Sequence, residues 1–328
     1  MNQKALSSPG VLYKKRTVIN TMVDTLIQYL VNGVTFGFLY ALIAIEYTLV
    51  FNACRLLNFS HIQIIAYGAF VFAGTFVIRL GWPLWLGYPA AMAVLGVFGA
   101  LISIVIFNPL RNVPRTYAII ATMMLSNVML ESTNFIWGPI PFTLLGFLSG
   151  ITHISTAAIA TANVFIIGVA VVVVVLLLLF MNKTKLGKAM RCVAENRDAA
   201  EYMGINVKQN MMLTTAMSCM ICCIIGIMII PLFQVRNTMA AGIGMKGFVA
   251  GIVGSFGSVP GAILGGILVG LLENFALLIV PSVYKDITSF VLVLVVLMFK
   301  PNGLLSRNPN KGLKMKAKKT TKVVETSD

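Results

Sequence analysis

Residues 182–210 read NKTKLGKAMRCVAENRDAAEYMGINVKQN, a charged stretch set between two long apolar runs at 160–182 and 209–230. Within it Leu186, Ala189, Met190, Val193, Ala200 and Met203 recur at spacings of three and four, while Lys188, Arg191, Glu195, Arg197 and Asp198 fill the other side. That periodicity predicts an amphipathic helix lying on a surface. Gly204 stands where a left-handed cap ends such a helix, and Asn206 opens the approach to the next apolar run. A polar helix between two runs long enough to cross a bilayer decides the fold class. The chain reads as an all-α, polytopic transmembrane helical bundle, with 183–208 as one of its surface loops.

Composition agrees. Hydrophobic residues make up 58% of the 328 and charged residues 11%, and the mean hydropathy of +0.91 lies far outside the range of soluble domains. The net charge of +15 does not point to nucleic acid, because 12 of the 25 Lys and Arg lie in the two tails, four before Thr17 and eight from Lys300 onward. Basic ends on a membrane domain face anionic lipid headgroups. No small-residue cleavage site follows Lys14, Lys15 and Arg16, so no signal peptide is expected. Cys219, Cys222 and Cys223 share one apolar run with no His or acidic residue nearby in sequence; they read as small packing residues, and neither a disulfide nor a metal site is expected.

A span needs about 20 apolar residues. Nine segments qualify, at 22–51, 60–79, 84–107, 116–137, 160–182, 209–230, 237–257, 260–281 and 284–299, which places the bundle at eight to ten membrane segments, some of them broken or re-entrant. Residues 1–20 form an amino-terminal tail, 21–305 the membrane domain, and the Lys-rich 306–328 a disordered basic tail. Loop charge puts the central loop, the Arg111 to Arg115 turn and the carboxyl tail on the cytoplasmic side. If every segment crosses, the amino end falls on the other side, against the charge of Lys14, Lys15 and Arg16. Either that tail is an exception, or an early stretch at 52–65 is re-entrant and makes no net crossing. The 138–159 loop carries no Lys or Arg, as an outer loop should, and Trp82, Trp85 and Trp137 sit at predicted span ends.

Polar residues inside the apolar runs mark candidate function. Glu46 lies within the first span, and an intramembrane carboxylate either serves a polar pathway or is held by a buried hydrogen bond. Asn58, Ser60 and His61, with Gln63, cluster at the mouth of the second. Asn127 and Glu131, four apart, share one face of a later helix and turn inward, bonding a neighbouring helix or lining a cavity. Gly254, Ser255 and Gly257 open a glycine-rich block with Pro260, which favours two segments meeting near Ser258 to Pro260 over one straight helix. Such a break either binds substrate at exposed backbone groups or reflects tight helix packing through glycine.

Three quoted stretches carry a resemblance. Asp198 to Gly204, DAAEYMG, resembles the acidic-Ala-Ala-x-x-x-Gly loop of permease subunits of ATP-binding-cassette (ABC) importers, with Asp in place of the usual Glu. The run GVTFGFLYALIAIEYTLVF followed by LNFSHIQIIAYGAF is similar to the opening of branched-chain amino acid permeases of that class. Glu46 stands there where the family has a small residue, and Ile62 where Gly is common. The block from Gly242 to Phe275, with Glu273, Tyr284-Lys285-Asp286 and the closing FKPNGLL, resembles the same family, so the likeness runs from about Val31 to Leu305. It implies a bacterial inner-membrane permease subunit that moves branched-chain or other hydrophobic amino acids. Its implied companions are two ABC ATPase subunits, a second homologous permease and an extracytoplasmic substrate-binding protein. By the same resemblance, Arg191, Asp198, Ala199, Ala200, Glu201 and Gly204 couple the chain to the ATPase.

The chain carries no G-x-x-x-x-G-K-[ST] motor motif, since Gly187-Lys188 is followed by Ala189 and Gly244-Met245-Lys246 has the wrong spacing. No cofactor of its own is expected, ATP being used by the partner. The alternative is an ion- or proton-coupled secondary transporter carrying protons on Glu46, Glu131 and Glu273. An intramembrane enzyme is disfavoured: only His61 and His153 exist, and no nucleophile–base arrangement is recognisable, so no catalytic residue is assigned.

Overall fold

The apolar opening run folds as one helix, α1 (Pro9–Cys54), and its second half is surrounded by the rest of the bundle. The computed structural model describes residues 9–110, 113–144, 146–148, 150–154, 157–278 and 280–299. The expected tail 306–328, the closing residues after Phe299, residues 1–8 and Arg111 of the charged turn lie outside the described residues. After α1 come α2 (His61–Arg79), α3 (Leu84–Leu110), α4 (Arg115–Trp137) and α5 (Thr161–Lys183). Two short surface helices follow, α6 (Lys185–Glu195) and α7 (Arg197–Tyr202), then α8 (Val207–Ile229), α9 (Ala241–Gly254), α10 (Val259–Ala276) and α11 (Lys285–Phe299). Seven of these are long and apolar enough to cross a membrane, and α9 is a shorter apolar helix. The all-helical bundle is therefore as expected. The outer loop adds a small antiparallel hairpin, β1 (Ile151–Ile154) against β2 (Ala157–Ala160), with Ile151 opposite Ala160.

Residues 39–50 of α1 are buried on every side, as befits a helix apolar all round. Glycine makes this crowding possible. α1 and α10 run antiparallel with Gly37 against Ile267 and Gly270, and Ala41 against Gly266, so closely that a Cβ on Gly266 or Gly270 would enter the backbone of α1. Gly226 of α8 meets the backbone of α2 at Ile65 and Ala69, and Gly99 of α3 meets Cys219 and Thr215 of α8. In a lipid solvent, small residues at contacts let van der Waals packing and backbone approach hold helices together. The glycine-rich block thus shows both features expected of it. It is broken, at Ser255 (φ +91°) and Gly257 (φ +94°), and it is tightly packed, with Gly254 facing Gly261 and Gly265 facing Ala250. Ser258 caps the new helix by accepting from the Gly261 N–H at 3.3 Å.

The two ends of the bundle are distinct. At one, Asn52 near the close of α1 donates to the Gly257 carbonyl at 3.1 Å, and the Arg55 guanidinium donates to the Ala194 carbonyl of α6. At the other, Trp137 donates to Thr75 at 3.0 Å and Phe142 bridges Val235. α1 therefore crosses the bundle, and its start lies opposite the central loop. At 52–65 the chain turns back into the bundle, because His61 at the start of α2 stands level with Ser218 midway along α8, and α2 then continues to the far end at Arg79.

Replacing Gly266 by Leu is expected to force α1 and α10 apart, at a cost of about 1–3 kcal/mol, seen as a lower midpoint of thermal unfolding in detergent. Gly168→Leu, where nothing lies within 4 Å, should not lower it.

Candidate functional site

The central loop is held by a series of caps. The Thr184 side chain accepts from the Gly187 N–H at 3.0 Å and starts α6. Asn196, with extended backbone, ends α6 and accepts from the Ala199 N–H at 3.0 Å to start α7. Gly204, at φ +82°, turns the chain, and Asn206 accepts from Gln209 at 3.2 Å to start α8. The single helix expected over 186–204 is thus two, because Asn196 offers its own side chain to the next turn. Met190, Val193 and Ala200 are buried against the bundle as the periodicity required. Leu186 and Met203 are not: they are 46% and 69% exposed, Leu186 in the first turn of α6 and Met203 beyond the break at Asn196.

This break changes which residues a partner would touch. Ala200 is wholly buried and turned inward, and Ala199 is only partly open. The outward residues are Asp198, Glu201, Met203 and Tyr202, the last 91% exposed. The paired alanines therefore do not jointly offer a close-approach surface; one of them anchors the helix instead. Arg191 lies further back, donating to the Asn182 side chain at 3.0 Å. It lines a cavity of about 690 Å³ together with Asn52, Arg55, Glu195, Ser255 and Gly257. Coupling-loop and broken-helix residues, far apart in sequence, meet at this one cavity, while Gly254 packs against Gly261 instead.

The polar cluster around Glu46 is sealed. Glu46, Asn58, Ser60 and His61 are all essentially unexposed. Ser218 of α8 donates to Glu46, and the imidazole of His61 contacts the same carboxylate without forming a directed hydrogen bond. Asn58 accepts from both the Ser60 N–H at 3.0 Å and its hydroxyl at 2.6 Å, shaping the entry to α2. The expectation that the α8 cysteines lack a His or acidic partner is overturned: the ligating atoms of Cys222, Glu46 and His61 lie within 4.8 Å of one another. Helix packing, invisible in a local reading, brings them together. Asn127 and Glu131 stand apart from this group. They are exposed on the outer face of α4, with Glu131 accepting only from Asn134 at 3.3 Å. Thr122, Met129 and Thr133 of the same helix face inward.

A second buried carboxylate has a different setting. Glu273 of α10 accepts from Tyr40 of α1 at 2.9 Å and Ser289 of α11 at 3.1 Å, and pairs with Lys246 of α9 at 2.7 Å and Lys285 at 3.3 Å. Lys246 also reaches Asp286 at 2.6 Å, and Lys285 lies 4.5 Å from the centre of the Phe36 ring. Two cations and two carboxylates join four helices. Lys246 was passed over in the sequence except as a failed motor motif; an unpaired Lys in an apolar helix, with a Glu in the next, was the available signal.

Residues 29–297 match the family model described as the branched-chain amino acid transport system permease component. The chain belongs to that permease family. Its relatives include the high-affinity branched-chain amino acid transport system permease protein BraD of Pseudomonas aeruginosa, 32% identical, with 86% of this chain and 96% of BraD covered. LivH of Escherichia coli K12, with the same description, is 30% identical over the same shares, and a probable branched-chain permease LivH of Methanocaldococcus jannaschii is 24% identical over 83% and 90%. Among solved structures, PsaBC from Streptococcus pneumoniae in complex with Fab is 14% identical, covers 85% of this chain and 95% of that one, and has a TM-score of 0.48. The permease is thus a transport subunit, not an enzyme, and a multi-pass membrane protein. Its family works with an ATPase and a binding protein.

In the permease, Lys246→Met is expected to leave Glu273 with one ammonium partner, Lys285, instead of two, and to leave Asp286 without Lys246. Breaking a buried pair costs about 3–5 kcal/mol, so the thermal midpoint in detergent should fall sharply. The double variant with Glu273→Met should recover most of it.

Proposed function

We propose that the permease imports branched-chain amino acids or close hydrophobic relatives, and that ATP hydrolysed on separate subunits drives it through α7. The observation that carries this reading is the stance of α7, held off the bundle between two side-chain caps and a left-handed glycine. Its Ala200 is rooted in the core while Asp198, Glu201, Tyr202 and Met203 stand in solvent. A short, rigidly mounted helix with an aromatic at its tip suits insertion into a cleft on a partner, since exposed aromatics with packed roots make interface hot spots. Behind it, the cavity shared by Arg191, Ser255 and Gly257 gives a displacement of α6 a direct route to the α9–α10 turn.

Two ATPases in the complete transporter imply two permease halves. The outer face of α4 suits the seam between this chain and a second homologous permease: it is the least buried of the seven spans, and Tyr117, Met124, Val128 and Phe135 are exposed along it with Asn127 and Glu131 between them. A carboxylate and an amide at membrane depth do not face lipid cheaply. At a seam they would line a wet path for a zwitterionic solute. The extracytoplasmic binding protein would meet the opposite end, where Trp137 and the β-hairpin lie.

Tyr202→Ala is expected to lower uptake of radiolabelled leucine in cells by roughly thirtyfold, the loss of one hot spot of about 2 kcal/mol, at unchanged membrane abundance. Glu131→Gln should alter the apparent KM for uptake while leaving assembly intact. Gradient-driven transport by the isolated chain in liposomes, indifferent to ATPase subunits, would overturn the ATP-driven reading in favour of a secondary transporter.

A further inference from the structure

We propose that Glu46, His61 and Cys222 bind one resident divalent metal ion of zinc type, pinning α1, α2 and α8 together inside the bundle. The three side chains come from three helices, none is exposed, and their ligating atoms lie within 4.8 Å of one another. Ligands around tetrahedral zinc, at about 2.0–2.3 Å from the metal, stand about 3.3–3.8 Å apart, so small side-chain rotations bring the three donors to one ion and leave its fourth position to a water. One carboxylate oxygen, one imidazole nitrogen and one sulfur are the donor mixture that zinc accepts.

The site is also short of partners. Glu46 Oε2 and both ring nitrogens of His61 are buried without a hydrogen bond, as is the hydroxyl of Tyr47, whose ring stands edge-on to His61 at 4.9 Å between centroids. Buried polar atoms left in this state are costly in a medium without water. A metal would take up the Glu46 carboxylate and one ring nitrogen of His61. The Glu46 carboxylate and Cys222 thiolate together cancel the dication, with His61 neutral, so the loaded site places no net charge in the low-dielectric interior. Binding transfers the thiol proton, and any proton shared by Glu46 and His61, to solvent. Ser218 donates to Glu46 and fixes its orientation from the second layer.

The location gives the ion a task. α2 starts inside the bundle, at His61, after the chain has turned back from the Arg55 end. Its first turn is held to α1 and α8 at this point, and a metal bridge makes that attachment firm.

The test is metal analysis of the full chain purified in detergent. Wild type is expected to carry one zinc per chain, lost in Cys222→Ser and in Glu46→Gly and kept in Cys223→Ser, the neighbouring cysteine. With cobalt in place of zinc, a thiolate-to-metal band in the near ultraviolet should appear in wild type and Cys223→Ser and vanish in Cys222→Ser. A readout independent of any variant is the wild-type chain produced in zinc-depleted medium, whose thermal midpoint should rise when zinc is restored. Zinc content equal to that of Cys222→Ser, a cobalt band that survives that change, or a midpoint indifferent to zinc would overturn the proposal and leave Glu46 and His61 as a proton-sharing pair.

Discussion

Close backbone approach is the constraint on which this structure depends. In hydrocarbon no water is released when two apolar helices meet, so association rests on dispersion contact and on polar groups that find partners. α1 meets α10 at Gly37, Ala41, Gly266 and Gly270, and α8 meets α2 at Gly226, at separations that leave no room for a methyl group. Once its second half is so enclosed, α1 is the member against which the other spans are placed. Its end at Cys54 also sets the level at which the α9–α10 turn and α6 must dock, through Asn52 and Arg55.

That docking ties the surface loop to the interior. α6 and α7 are not a loose connector. Met190, Val193 and Ala200 root them, and Arg55 reaches the Ala194 carbonyl at the very end of α6. A displacement of α7 must therefore either unseat those residues or move the end of α1 and the α9–α10 turn with it. The turn itself is held by few bonds, chiefly Asn52 to Gly257 and the Ser258 cap, and two of its residues have positive φ. It is the point in the hairpin where backbone angles change most cheaply.

The spans were legible because most are long apolar runs: all nine expected segments fall on helices, and seven of these are long and apolar enough to cross a membrane. The caps were legible too, since Gly204 and Asn206 act through their own backbone and nearest neighbours. What was not legible depends on packing. Nothing local to CCIIG says that Cys222 faces Glu46, 176 positions away by subtraction of the two residue numbers. The break at Asn196 was open to a local reading, since Asn favours caps over helix interiors, but the amphipathic spacing runs through it unbroken. That polar groups in a span avoid lipid predicts Asn127 and Glu131 inward; in the single subunit both stand exposed on α4, because which face of a span packs inward depends on its neighbours and not on its own sequence.

The two buried carboxylates show how a membrane bundle treats one chemical group in two ways. Glu273 has a full set of donors: a phenol, a hydroxyl and two ammonium groups, with Asp286 balancing the second positive charge. Every acceptor direction is used, and the group behaves as a rivet among four helices. Glu46 has one hydroxyl donor and one imidazole contact, and its second oxygen has no hydrogen bond at all. Glu46 thus lacks the full set of donors that holds Glu273. An under-bonded carboxylate beside a histidine and a thiol, in a core otherwise packed to backbone contact, argues that these three groups answer to something besides one another.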